Sequence, residues 1–216
     1  RSMRRTKAVL DCWFDSGAMP FAQHGWIAEE GKAPPADHPA DYIAEGLDQT
    51  RGWFYTLHVI STFLTGKPAS KRILVGDLVL DAKKQKMSKS RGNTVDPWQE
   101  IAAHGIDSIR WYFLSQSQPW LPKSYDSAAV GSAGRELFGT LFNCWSFFAT
   151  YAEVDRFDPD VTPAPPLAER PELDRWLAAE LERLVADVGG AFERYDLTRA
   201  ATLIESFVDR KLSNWY

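Results

Sequence analysis

Five cations fall within nine residues of the stretch Lys83-Lys84-Gln85-Lys86-Met87-Ser88-Lys89-Ser90-Arg91, which runs on into Gly92 and Asn93. A lysine ammonium is a compact charge on a flexible stem, so several on one loop can follow a polyphosphate as its charge moves. The Ser88 and Ser90 hydroxyls and loop N–H groups add donors, and Gly92-Asn93 lets the backbone turn. The spacing therefore predicts a mobile, phosphate-seeking loop; the simpler alternative is a solvated basic hairpin tip.

A second stretch with chemistry is Glu45-Gly46-Leu47-Asp48-Gln49-Thr50-Arg51-Gly52-Trp53-Phe54. Asp48 is placed to cap the apolar helix that follows, but a cap leaves Glu45 and Gln49 unexplained. Three polar groups at a helix head, with Gly46 permitting close approach, suit a ribose and an amino acid. Trp13, in Trp13-Phe14-Asp15-Ser16-Gly17, is placed either to wall a pocket or to fill a core.

The elements that must position these residues follow from the apolar pattern. Ala8-Val9-Leu10 reads as a short buried strand delivering the Trp13 turn, with a short helix over 18–26. Tyr42-Ile43-Ala44 is a second strand, and Trp53, Phe54, Leu57, Ile60, Phe63 and Leu64 form a helical stripe ended by Gly66. Ile73-Leu74-Val75 and Leu78-Val79-Leu80 make one bulged strand or two short ones leading into the basic loop. Asp96-Pro97 opens a helix closed by Gly105, and Asp107 is read as the cap of the next. Beyond a Gln- and Pro-rich linker at 116–122, helices are expected over 128–151, 173–188 and 198–215, with no strand between them.

The chain has 216 residues, 44% hydrophobic and 25% charged, the composition of an ordinary soluble globular protein. A formal charge of −4 gives no global attraction to nucleic acid, so any such contact is local. Cys12 and Cys144 are far apart and the four His are scattered, which points to reduced thiols and to no metal set. No apolar run of about 18 residues predicts a membrane span. The opening without a signal pattern and the close inside a helical pattern make both ends read as cuts in a longer chain.

Lys86-Met87-Ser88-Lys89-Ser90 resembles the KMSKS signature of class I aminoacyl-tRNA synthetases. The 45–54 stretch resembles the EGxDQxRGWF motif of the isoleucyl branch, and Trp13 to Gly17 the WFDSG preceding it. The resemblance implies an α/β fold: the C-terminal half of a Rossmann-like parallel-sheet catalytic domain over 1–123, followed over 124–216 by a partial all-α helical bundle that begins the tRNA-binding domain. It implies isoleucine activation with ATP and Mg²⁺ and transfer to tRNA(Ile), by a cytoplasmic and monomeric full-length enzyme. Catalysis is implied for Lys86 and Lys89. Adenylate contacts are implied for Glu45, Gly46, Asp48, Gln49, Met87, Ser88 and Ser90, and an aliphatic pocket for Trp13 and Trp53. No zinc is implied in this segment, any zinc belonging elsewhere in the full-length protein. The His-x-Gly-His segment and the editing insertion of such enzymes are missing from these residues, so the fragment alone is expected to be inactive. The alternatives are a valyl or leucyl relative, or a stand-alone fragment that binds tRNA or protein.

Overall fold

The computed structural model describes residues 4–29 and 31–216. They form two compact units that divide between Leu78 and Val79.

In the first unit, Asp11 opens α1 (Cys12–Ala22) by accepting the Trp13 N–H at 2.8 Å, which satisfies one of the donors every helix start leaves orphaned. The strand expected at 8–10 does not form. The segment pairs with no strand among the described residues, and Val9 is 94% exposed. Three apolar residues carry no period, and the Asp11 cap draws the supposed Trp13 turn into the first turn of the helix.

Strand β1 (Ile43–Gly46) continues through a 3-10 turn, Leu47–Arg51, into α2 (Trp53–Thr65), and the chain returns as β2 (Ile73–Gly76). β1 and β2 are parallel neighbours, with Gly46 opposite Gly76, so α2 is the crossover that a parallel pair requires. Phe54, Leu57 and Ile60 are the buried stripe of α2, whereas Phe63 stands outside it, 87% exposed. Gly66 ends the helix as expected, at φ +69°, its N–H donating to the Thr62 carbonyl. α1 meets α2 at the buried Gly17, where a Cβ would stand 2.8 Å from Thr56 carbonyl carbon and Cβ. Beside them, buried His38 lies with Nε2 3.1 Å from Ser61 Oγ and its ring 5.0 Å from that of Phe21. Burial, then the Lys67 charge, lowers the imidazole pKa.

In the second unit, β3 (Val79–Leu80) pairs in parallel with β4 (Lys123–Ser124), so the apolar residues around Gly76 form two short strands in separate sheets. Between them run α3 (Pro97–His104) and α4 (Ile106–Ser115). Asp96 caps α3 through the Trp98 N–H at 2.9 Å. Asp107 does not cap α4: Gly105 holds that position and Asp107 lies in the first turn, 3.7 Å from Arg110. Helices α5 (Ser127–Gly134) and α6 (Thr140–Val154) are joined by one continuous π-helical turn, Arg135–Gly139. After α7 (Glu172–Glu193), α8 (Leu197–Ser206) likewise runs into a π-helical segment, Phe207–Ser213.

Tyr112, Tyr125, Val130 and Ala133 form one buried cluster, and Leu137, Phe207 and Val208 another. Trp111 Nε1 donates to Glu205 at 2.6 Å, tying α4 to α8. Buried Glu180 of α7 accepts from Arg183 at 2.5 Å and from Lys211 of the terminal π segment, and the Lys211 hydrogen bond leads the causes that lower its pKa. No helix among the described residues is long and apolar enough to cross a membrane.

Candidate functional site

Both chemically loaded stretches leave the carboxyl end of a short parallel strand: the 3-10 turn at 47–51 follows β1, and the basic loop follows β3. That is where open α/β sheets bind ligands, because helix starts and loop N–H groups collect there.

In the first unit, Gly46 faces the turn so closely that a Cβ would lie 2.7 Å from Asp48 Oδ1. Gln49 folds back over the helix start. Its Oε1 accepts the Trp53 N–H at 3.0 Å, and its Nε2 donates to Asp48 at 3.0 Å. The capping side chain of α2 is therefore Gln49, and the cap expected from Asp48 is corrected. A 3-10 turn between Gly46 and Gly52 moves the helix start beyond the reach of Asp48. Gly52 is buried, and a Cβ there would press on Gln49 Oε1 at 2.9 Å and meet Trp13 Cη2 at 3.6 Å. Trp53 Nε1 donates to the Ser16 carbonyl at 3.1 Å, which fixes the indole against α1. Gly52 and Ser16 thus bring the segments of Trp13 and Trp53 together, and Trp13 remains 41% exposed. Glu45 and Asp48 are exposed carboxylates at the strand end.

In the second unit the basic loop is ordered by Asp81, which sequence reasoning passed over, and by Asn93, which it read only as a turn residue. Asp81, directly after β3, accepts the Lys83 and Gln85 N–H groups on Oδ1 at 2.9 and 2.8 Å. Its Oδ2 accepts from Asn93 Nδ2 at 2.8 Å. Asn93 Oδ1 in turn accepts the Ser88 N–H at 2.9 Å, and its Nδ2 also reaches the Lys86 carbonyl at 3.3 Å. These bonds, the Asn93 one first, hold the Asp81 carboxyl below the usual carboxylate range. An Asp one residue after a strand and two before a donor N–H is an Asx-turn signal, and it was legible. The Asn93 link spans 12 residues and was not.

Met87 packs its side chain on the Tyr112–Tyr125–Val130 cluster, so it anchors the loop. Lys86 and Lys89 are exposed, and Ser88 Oγ lies 3.3 Å from Ser90 Oγ. Lys83 and Arg91 are exposed as well but also line a cavity of about 530 Å³ with Asp81, Asn93, Glu100 and Tyr125. The five cations of the loop are therefore not equivalent. Along the cavity wall Tyr125 donates to Glu100 at 2.8 Å, and burial, then Glu100, pushes its phenol pKa far up. His104 Nε2 meets Ser127 Oγ at 2.8 Å and Glu100 at 3.6 Å. Both partners share one ring nitrogen, so no relay from Glu through His to Ser exists; that needs opposite nitrogens. No group of three or more His, Cys, Asp or Glu among the described residues could hold a metal ion.

The sequence family described as tRNA synthetases class I (I, L, M and V) matches residues 1–120, and that described as the anticodon-binding domain of tRNA ligase matches 174–216. Isoleucine–tRNA ligase of Deinococcus radiodurans is 48% identical over 99% of the chain, and that of Thermus thermophilus 46% over 100%. The chain spans about a fifth of the length of these relatives, 20% in both cases. Among solved structures, a ternary LeuRS–tRNA–LeuAMS complex from Agrobacterium radiobacter K84 matches 92% of the chain and 26% of its own, with TM-score 0.73 and 19% identity. Mycobacterium tuberculosis methionyl-tRNA synthetase with methionyl-adenylate matches 84% of the chain and 35% of its own, at TM-score 0.65 and 24% identity. These two likenesses establish the fold, an α/β unit of parallel strand pairs followed by helices. With the match to residues 1–120 covering more than half of the sequence, the chain belongs to the class I tRNA synthetases of the I, L, M and V group.

Proposed function

We propose that this chain is part of an isoleucine–tRNA ligase. The observation that carries the reading is the 46–48% identity to such ligases along essentially the whole chain. The reaction opens with attack of the isoleucine carboxylate on the α-phosphate of ATP. A carboxylate oxygen–phosphorus bond forms, the α–β anhydride breaks, and its electron pair leaves with pyrophosphate. Lys86 and Lys89 neutralise the charge gathering on that leaving group, with Ser88 and Ser90 as donors; such transfers depend on positioning and charge stabilisation. Glu45, Gly46, Asp48 and Gln49 receive the adenylate, and Trp13 and Trp53 flank the aliphatic side chain. Met87 contributes as the apolar peg of the loop. The terminal ribose of tRNA(Ile) then takes the acyl group and AMP leaves.

The described residues offer no carboxylate trio for Mg²⁺, which would arrive on the triphosphate and add charge neutralisation there. We place the catalytic half-domain at 1–123 and the start of the tRNA-binding helices at 124–216. The full-length enzyme acts as a cytoplasmic monomer in this reading, a setting that suits the free Cys12 and Cys144 thiols.

Isoleucine-dependent ATP–pyrophosphate exchange tests the assignment, run on the 216-residue chain and on the full-length gene product with isoleucine, valine and leucine. The full-length protein is expected to exchange best with isoleucine and the chain alone to be silent. Preference for valine or leucine would replace the isoleucine reading. Exchange by the chain alone would show that its residues suffice for adenylation.

Trp53→Ala in the full-length protein is expected to raise KM for isoleucine about tenfold or more, because an aromatic wall removed from an apolar pocket forfeits roughly 1–3 kcal/mol of binding. An unchanged KM with lowered stability would return Trp53 to the core, held by its bond to Ser16.

A further inference from the structure

The hydrogen bonds of the basic loop divide it into two parts, a stem and a tip. The stem, Asp81 to Ser88 with Asn93, is braced both within its own turn and from outside it. The Asp81 N–H donates to the Gln85 carbonyl at 2.8 Å, and Leu80 bridges Lys86 in antiparallel fashion. Asp81 gathers two backbone donors and Asn93. Asn93 then closes on Ser88 and Lys86 from the far end, and Met87 is pegged in the core. The tip is different. It is a single 3-10 turn, Lys89–Arg91, whose backbone bonds stay local: the Arg91 N–H donates to Ser88 and the Gly92 N–H to Lys89, both at 3.2 Å. Gly92 ends the tip at φ +67°, a conformation that glycine adopts without steric cost.

We propose that Asp81 and Asn93 are positioning residues that latch the stem of the basic loop, presetting Lys86 and Ser88 while leaving Lys89 to Arg91 as the part that moves onto the leaving polyphosphate. The inference rests on the reading of this loop as the pyrophosphate site. Neither residue touches the reacting atoms; each acts through the backbone it holds. The two roles differ in kind, since a preset cation costs no reorganisation at the moment of reaction and a mobile one follows the departing group. The carboxylate of Asp81 suits the latch in its ionised form, with both oxygens free to accept.

The test uses the full-length gene product in four forms: unsubstituted, Asp81→Ala, Asn93→Ala, and the exchange D81N/N93D. In the exchanged pair the amide at position 81 can donate to the carboxylate at position 93, whose second oxygen still accepts from Ser88. Initial rates of tryptic cleavage are read bond by bond by mass spectrometry, beside the kinetics of isoleucine-dependent exchange. Loss of a charge-assisted latch should speed cleavage after Lys84 and Lys86 by about tenfold or more. Cleavage after Lys89 and Arg91 should be fast in every form. The kcat of exchange should fall about tenfold with little change in KM for isoleucine, and D81N/N93D should recover most of both losses.

Unchanged cleavage after Lys84 and Lys86 in both alanine variants overturns the latch. Faster cleavage with unchanged kcat leaves a structural brace and overturns the positioning role. If the unsubstituted protein exchanges with no amino acid, the ligase reading falls and the positioning role with it, while the cleavage rates still decide the latch.

Discussion

Lys89→Ala in the full-length gene product is expected to lower the rate of isoleucine adenylation by roughly 10²–10³-fold, the range seen when one donor that meets developing charge is removed. The KM for isoleucine should stay within about twofold, because the lysine meets charge that exists only as pyrophosphate departs. The side chain is exposed and belongs to no core cluster, so the fold should survive its removal. Single-turnover measurement of adenylate formation separates the two quantities. A loss shared equally between rate and isoleucine affinity would contradict a role confined to the transition state.

Gly17→Val is expected to unfold the first unit more easily by about 1–3 kcal/mol, the usual cost of forcing atoms into a packed contact. At this position a Cβ alone already stands 2.8 Å from Thr56 and 2.9 Å from Ile60 Cδ1. The Thr56 neighbours include the backbone carbonyl carbon of α2, which cannot rotate away as a side-chain end could. The helices must separate, and the bond from Trp53 Nε1 to Ser16, one residue before the glycine, is the first to stretch. Urea unfolding of the chain reads the stability change. An unaltered midpoint would mean that α1 and α2 do not rely on this contact.

The legible parts of the molecule were those written in local chemistry. The Asp96-Pro97 cap, the Gly66 stop and the stripe Phe54–Leu57–Ile60 depend on neighbours within one or two turns, and the structure shows each. The resemblance around residues 45–54 and 86–90 led to the right family because those runs are long and specific. What was misread depended on competition or distance. Ala8–Leu10 has the composition of a strand but nothing among the described residues to pair with, and a strand exists only by pairing. Asp48 and Asp107 are good capping residues, but Asp48 lies a turn before the start of α2, where Gln49 supplies the acceptor, and Asp107 lies inside the first turn of α4, where Gly105 is the cap. The brace between Asp81 and Asn93 joins positions whose nearness is set by the fold of the loop, which no period reveals.

The π-helical turn between α5 and α6 has a consequence for how the helical part is built. In an α-helix each residue advances the side-chain direction by about 100°, so a turn that holds one residue too many shifts everything beyond it by that angle. α5 keeps Val130 and Ala133 buried toward α4, whereas α6, continuing the same rod, buries no residue and turns Leu141, Trp145 and Phe148 to a cavity that Leu212 and Tyr216 also line. The turn at Arg135–Gly139 thus acts as a phase shifter, letting one uninterrupted rod address two directions without a loop between them.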